Sequence, residues 1–122
     1  MTLNASDLGA LAASEEIEIE TRSPAGNVHR TIVWIVVHDG VAYLRSVNGA
    51  GARWYREAMA DPGSVAIHVD GRRIPVRLVD ATDPLGVAAA SAGLREKYRG
   101  DPSLRSMLEP HTLQTTLRVY AA

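Results

Sequence analysis

Apolar and polar positions alternate along much of the chain, and each change in the alternation marks a change of element. Residues 15–21 put Ile17 and Ile19 on one side and Glu16, Glu18 and Glu20 on the other, the two-residue period of a strand with one solvated face. Ser23, Pro24, Ala25, Gly26 and Asn27 have turn chemistry. The run over residues 29–38 is different, because Ile32 to Val37 is apolar without a break. Both faces of such a strand need cover, which predicts a central position. Asp39-Gly40 is a two-residue hairpin turn into a third strand over residues 41–46.

Small flexible residues follow at 47–51, then a helical pattern over residues 52–60 with Tyr55, Ala58 and Met59 on one face, closed by Asp61-Pro62-Gly63. Strands are predicted over residues 64–69 and 72–80, joined by Asp70-Gly71, and Pro75 in the second implies an edge or a bulge. A helix over residues 83–99 begins with Asp83 as cap and Pro84 in its first turn. Residues 102–108 suggest a short helix and residues 112–120 a final strand, while residues 4–13 form an opening helix capped by Asn4 or Ser6. The expected fold is mainly β: a six-stranded antiparallel barrel, one domain over residues 1–122, with a helix after the third strand and helices before the last.

Composition narrows the chemistry. The 122 residues suffice for one core. A net charge of −1 gives no basic face for nucleic acid. With no cysteine, disulfides, thiolate metal sites and cysteine nucleophiles are excluded. The four histidines are scattered without metal-ligand spacing. No apolar run approaches the ~20 residues of a membrane helix, and the first residues do not read as a signal peptide, so a cytoplasmic location is expected. Lys97 is the single lysine, so an anion site must draw on arginine.

The polar residues around the third strand are the candidates. Arg30 and Thr31 open the apolar strand, and Arg45 and Ser46 close its hairpin partner. Antiparallel pairing brings these ends together, beside the glycine loop and the helix that starts near Arg53. Such a junction suits a phosphate; solvated strand ends around an ordinary loop are the alternative. Trp34 reads as a core aromatic, and Trp54 as buried in the core or at a dimer seam, with stacking on a cofactor ring the lesser option.

The stretch from Arg30-Thr31 through Val33-Trp34-Ile35-Val36-Val37, Asp39-Gly40, Tyr43-Leu44-Arg45-Ser46, Gly49-Ala50-Gly51 and Arg53-Trp54-Tyr55 to Asp61-Pro62 resembles the flavin/deazaflavin-dependent nitroreductase branch of the FMN-binding split β-barrel proteins. Within that superfamily it is most similar to an uncharacterised family of short bacterial proteins. The resemblance covers about residues 15–80. It implies a pyridoxamine-phosphate-oxidase-like fold, a homodimer, FMN or a deazaflavin coenzyme, and hydride transfer to a small organic substrate. By the same resemblance Arg30, Arg45, Ser46 and Arg53 would contact phosphate. Val33, Val47 and Asn48 would border the ring, with Gly49, Gly51 and Trp54 completing the cofactor site. Residues 23–27 replace the family's G-x-x-S-G-K/R approach, and the C-terminal third lacks its tyrosine-rich, substrate-lining segment. The alternative function is therefore a non-enzymatic binder or a cofactor-free barrel with a repurposed cavity.

Overall fold

A computed structural model describes residues 1–122. In chain order the elements are α1 (Ala5–Ala13), β1 (Ile17–Arg22), β2 (Val28–Val33), β3 (Ile35–His38), β4 (Val41–Leu44), α2 (Arg53–Ala60), β5 (Ala66–Val69), β6 (Arg72–Asp80), α3 (Pro84–Lys97), α4 (Pro110–Leu113) and β7 (Leu117–Ala121). Short 3-10 turns occupy Gly49–Gly51, Pro62–Ser64 and Leu104–Leu108. No helix is long and apolar enough to cross a membrane.

The strands form one antiparallel sheet in the order β2-β1-β5-β6-β7-β4-β3, curled into a half-barrel. Seven strands stand where six are expected, because the long apolar run breaks at Trp34 into β2 and β3. Its first half pairs with β1 and its second with β4. The run thus occupies both ends of the strand order and not the middle. Its continuous apolarity has another cause. Ile35 faces the barrel core, while Val36 faces a second cluster with Tyr43, Ala90 and Leu94 under α3.

β6 makes the corresponding change on the other side. Residues 72–75 pair with β5 and residues 76–80 with β7. Pro75, which has no N–H to give a ladder, sits where β6 passes from one neighbour to the other. Both Asp-Gly turns have positive φ at both residues, 50° and 76° at Asp39-Gly40 and 50° and 74° at Asp70-Gly71, the conformation that matches the twist of a tight hairpin. Asn4 accepts the amide of Asp7 at 2.8 Å and caps α1; Asp83 caps α3 through the amide of Gly86 at 3.3 Å.

One of the alternating glutamates, Glu20 in β1, departs from the solvated face. β1 lies between β2 and β5, so Glu20 is buried and must be paired. It accepts Arg73 at 2.8 and 3.1 Å and His68 at 2.7 Å. The Arg73 hydrogen bonds hold its carboxyl down at about 2, against the opposing effect of burial. A carboxyl with a depressed folded pKa adds stability above its unfolded value and loses it as pH falls towards the folded one. Urea midpoints are therefore expected to fall between about pH 4.5 and 2, and Glu20→Gln should flatten that slope.

Candidate functional site

A cleft of about 430 Å³ opens where β2 turns into β3 and β4 runs into the glycine loop. One wall is Thr31 to Trp34, the floor is Arg45 to Asn48, and Trp54 enters from α2. Glu15, Glu16, Asp101, Ser103 and Met107 complete it. Its volume is in the range of small-molecule sites, ~300–1,000 Å³.

The floor exists because β4 ends at Leu44 and the next residues turn inward. Arg45 is 2% exposed. Its Nε donates to Thr116 Oγ1 at 2.9 Å and its Nη1 to the Met107 carbonyl at 3.2 Å. Its Nη2 donates to the Val87 carbonyl and to Ser91 Oγ, both at 2.9 Å. Every acceptor is neutral. Burial, followed by the nearby charge of Arg95, draws the guanidinium down to about 10. Arg45 is a strut that joins the floor to α3 and the C-terminal segment, with little left to give a phosphate.

Ser46 has the opposite character. Its amide donates to Thr115 Oγ1 at 2.9 Å, but its hydroxyl is the one buried side-chain polar atom without a partner, on a residue 1% exposed. Orphaned buried hydroxyls are rare and ask for an explanation, and this one belongs to a cleft-lining residue. The glycine loop beyond it is clamped from the C-terminal side. His111 donates from Nε2 to the Val47 carbonyl at 2.8 Å, which specifies an imidazole protonated at Nε2. The same ring covers Gly49, where φ is +76° and an added Cβ would meet His111 Cδ2 at 3.3 Å. Gly49 is needed for both reasons.

Helix α2 is anchored by Glu57, whose carboxylate accepts Thr21 Oγ1 at 2.8 Å and His29 Nδ1 at 3.0 Å. Burial pushes that carboxyl up, but the His29 and Thr21 hydrogen bonds outweigh it and the net direction is downward. This places Trp54 in the core and against the cleft at once. Arg53 stays exposed and reaches Thr31 Oγ1 at 3.3 Å, beside the cleft. Trp34 is neither fully core nor free. Its indole stacks on Tyr98, with ring centroids 3.7 Å apart and planes 5° apart, and it also lines the cleft.

Of the ten residues proposed from sequence, the cleft brings together Val33, Arg45, Ser46, Val47, Asn48 and Trp54. Gly49 and Gly51 shape the loop behind it. Arg53 is at the rim through Thr31. Arg30 is elsewhere, on the outer face of β2 and paired with Glu18 at 2.6 Å. Sequence reasoning missed Trp34 as a wall, and it missed His111, Thr115 and Thr116 as supports. A threonine pair followed by an alternating strand carries no signal of burial.

No curated protein is detectably similar in sequence. Solved structures are similar in fold. An F420 reductase matches with TM-score 0.61 at 19% identity, over 93% of this chain and 91% of that one. A FAD-binding protein from Mesorhizobium loti matches with TM-score 0.56 at 18% identity, over 100% and 92%. A candidate 5-nitroimidazole antibiotic resistance protein from Bacteroides thetaiotaomicron matches with TM-score 0.62 at 11% identity, over 97% and 80%. Against two further similar structures the chain spans only 53% and 56% of their length. At these identities the likeness establishes the fold alone, a split β-barrel. A bacterial family model, described as "Uncharacterized protein conserved in bacteria", matches residues 7–119, and the chain belongs to that family, DUF2255.

Proposed function

We propose that the cleft holds a flavin-type cofactor, FMN or a deazaflavin coenzyme, and that the chain is an oxidoreductase acting on a small organic acceptor. The observation that carries this reading is the orphaned Ser46 hydroxyl in a cleft walled by two tryptophans. A planar, polar-edged ring suits such walls. The similar chains described as an F420 reductase and a FAD-binding protein support a ligand of this type. When bound, the flavin would supply the hydride chemistry. The chain's own residues would orient it: Ser46 Oγ and Asn48 on the floor, Trp34 and Trp54 as apolar walls, Arg53 as the arginine free to meet a phosphate. No catalytic acid or base is required of the protein.

A second reading, a cofactor-free binder of a less charged molecule, is favoured by one observation. Arg30 and Arg45 are already committed, to Glu18 and to four neutral acceptors. A fluorescence titration with FMN and with the deazaflavin coenzyme separates the two. Saturable quenching is expected, and no binding of either at concentrations of about tens of micromolar would refute the cofactor. Arg53→Ala should weaken binding by about 1.5–3 kcal/mol as a charge-assisted contact is lost. Ser46→Ala should act with two signs. It should stabilise the ligand-free protein by up to about 1 kcal/mol, because an unpaired buried hydroxyl is removed, and weaken ligand binding by a similar amount.

We also propose that the protein works as a homodimer. Ile32 is 61% exposed on β2, a strand with no neighbour on its outer side, and exposed Val47 lies with it at the cleft. A second copy would cover both. Light scattering should give twice the chain mass, and Ile32→Glu should return the monomer.

A further inference from the structure

We infer that the outer wall of the same cleft is a subsite for an organic cation, a protonated amine or a cationic nitrogen heterocycle, held against Trp34 by Glu15, Glu16 and Asp101. As a binding site this stands on its own; as the class of the acceptor substrate it rests on the oxidoreductase reading above.

Three facts meet at this wall. Glu15, Glu16 and Asp101 all line the cleft, and none has a basic partner within ion-pair distance. Other carboxylates, such as Asp61 and Glu96, are also unpaired, but only these three share a cleft with an aromatic wall. Burial pushes the Tyr98 hydroxyl above its ordinary range; the Ile35 backbone hydrogen bond opposes this, and the charges of Glu15, Glu16 and Asp101 add to the rise. That hydroxyl donates to the Glu15 carbonyl at 2.6 Å, and its ring carries Trp34. One face of the indole is therefore fixed on Tyr98 while the residue also borders the cleft, beside unpaired carboxylates. An indole is the best of the aromatic partners for a cation, and nearby negative charge adds to the attraction.

No cation of the chain pairs with these carboxylates at ion-pair distance. Lys97 donates to the carbonyls of Leu11 at 3.0 Å and Ile35 at 2.6 Å, and it shares with Arg99 the adjoining pocket behind Glu15 and Asp101. Arg45 is turned to its four acceptors beneath the floor. Asp101 uses one oxygen on the Ser103 amide at 2.8 Å and keeps the other. The Ser46 hydroxyl, buried in the same cleft with no partner, also calls for an occupant there. The cleft thus has a hydrogen-bonding floor and an acidic outer wall. A cationic ring fits that polarity, and an organic anion meets repulsion at the wall.

The test uses flavin-free protein and three probes of one shape: 4-nitrobenzyltrimethylammonium, 4-nitrobenzyl alcohol and 4-nitrobenzoate, titrated by calorimetry at low salt. The cation should bind about tenfold or more tighter than the anion, with the alcohol between them. Glu15→Gln combined with Glu16→Gln, both at exposed positions, should erase most of that preference. Trp34→Leu should weaken the cation more than the alcohol, because only the cation loses its attraction to the indole face. Equal binding of the three probes, no measurable binding of the cation at millimolar concentration, or a preference that survives the double variant would each overturn the subsite. The outcomes stay separable from those of the flavin titration. A protein that binds the cation but no flavin loses the redox reading and keeps the subsite. One that binds flavin but treats the three probes alike keeps the first and loses the second.

Discussion

Replacing Arg45 with methionine should destabilise the protein by about 3–5 kcal/mol in urea unfolding, because four buried neutral acceptors lose a charged donor. Methionine fills much of the same volume but donates nothing. Thr116 Oγ1, Met107 O, Val87 O and Ser91 Oγ would all lose the donor they have now. Each buried acceptor so stripped costs about 1–3 kcal/mol, reduced where a hydroxyl can turn to another partner. Thr116 can, because its Oγ1 already donates to the Leu113 carbonyl at 2.6 Å, and the Met107 carbonyl keeps Thr112 Oγ1 at 2.9 Å. Lysine at this position should rescue only part of the loss, since one ammonium cannot reach acceptors spread around a planar fork. A change below about 1 kcal/mol would mean that the desolvation of the guanidinium cancels its hydrogen bonds, and Arg45 would then cease to be a strut.

Gly86→Ala is expected to lower stability by about 1–3 kcal/mol, against the gain of up to about 1 kcal/mol that alanine brings inside a helix. Gly86 lies in the first turn of α3, where that turn presses on the end of β6. An added Cβ would run into the Ala81 carbonyl oxygen, with Asp83 Oδ1 at 2.9 Å and the Ala81 carbonyl carbon at 3.0 Å. The obstacle is backbone, held in turn by the Ala81 amide on the Thr116 carbonyl at 2.9 Å, so the helix must move. Its movement carries the next residue, Val87, whose carbonyl takes Arg45. The melting temperature should fall, and the floor of the cleft should loosen with it. A melting temperature that rises would show that α3 can shift without effect.

Much of the architecture was legible in the residues. The Asp-Gly turns, the caps at Asn4 and Asp83 and the two-residue periods of β1 and β6 act locally, so a local pattern reports them. The break at Trp34 was not legible, because an unbroken apolar run cannot say where its partner changes from β1 to β4. Arg30 shows a similar limit. It shares a sequence neighbourhood with Thr31 and Val33, but the strand period turns it to the opposite face, where Glu18 waits. Arg45 is the sharpest case. An arginine after a strand and before a glycine loop looks like an anion ligand. Only the positions of Val87, Ser91, Met107 and Thr116 reveal that its hydrogen bonds are already spoken for. The C-terminal segment was read as strand from residue 112, whereas β7 starts at Leu117 and the residues before it buttress the cleft.

The strut has a consequence for how the molecule is made. The four partners of Arg45 lie 42, 46, 62 and 71 residues further along the chain. Contacts this distant close large loops and form late. The hairpin that carries Arg45 can pair by itself, but its guanidinium has no home until α3 and the C-terminal turn arrive. The cleft is therefore expected to take shape late, which pulsed hydrogen exchange at residues 45–48 would check. A ligand that binds there recognises only the finished protein, so it stabilises the fold in proportion to the logarithm of its concentration above Kd.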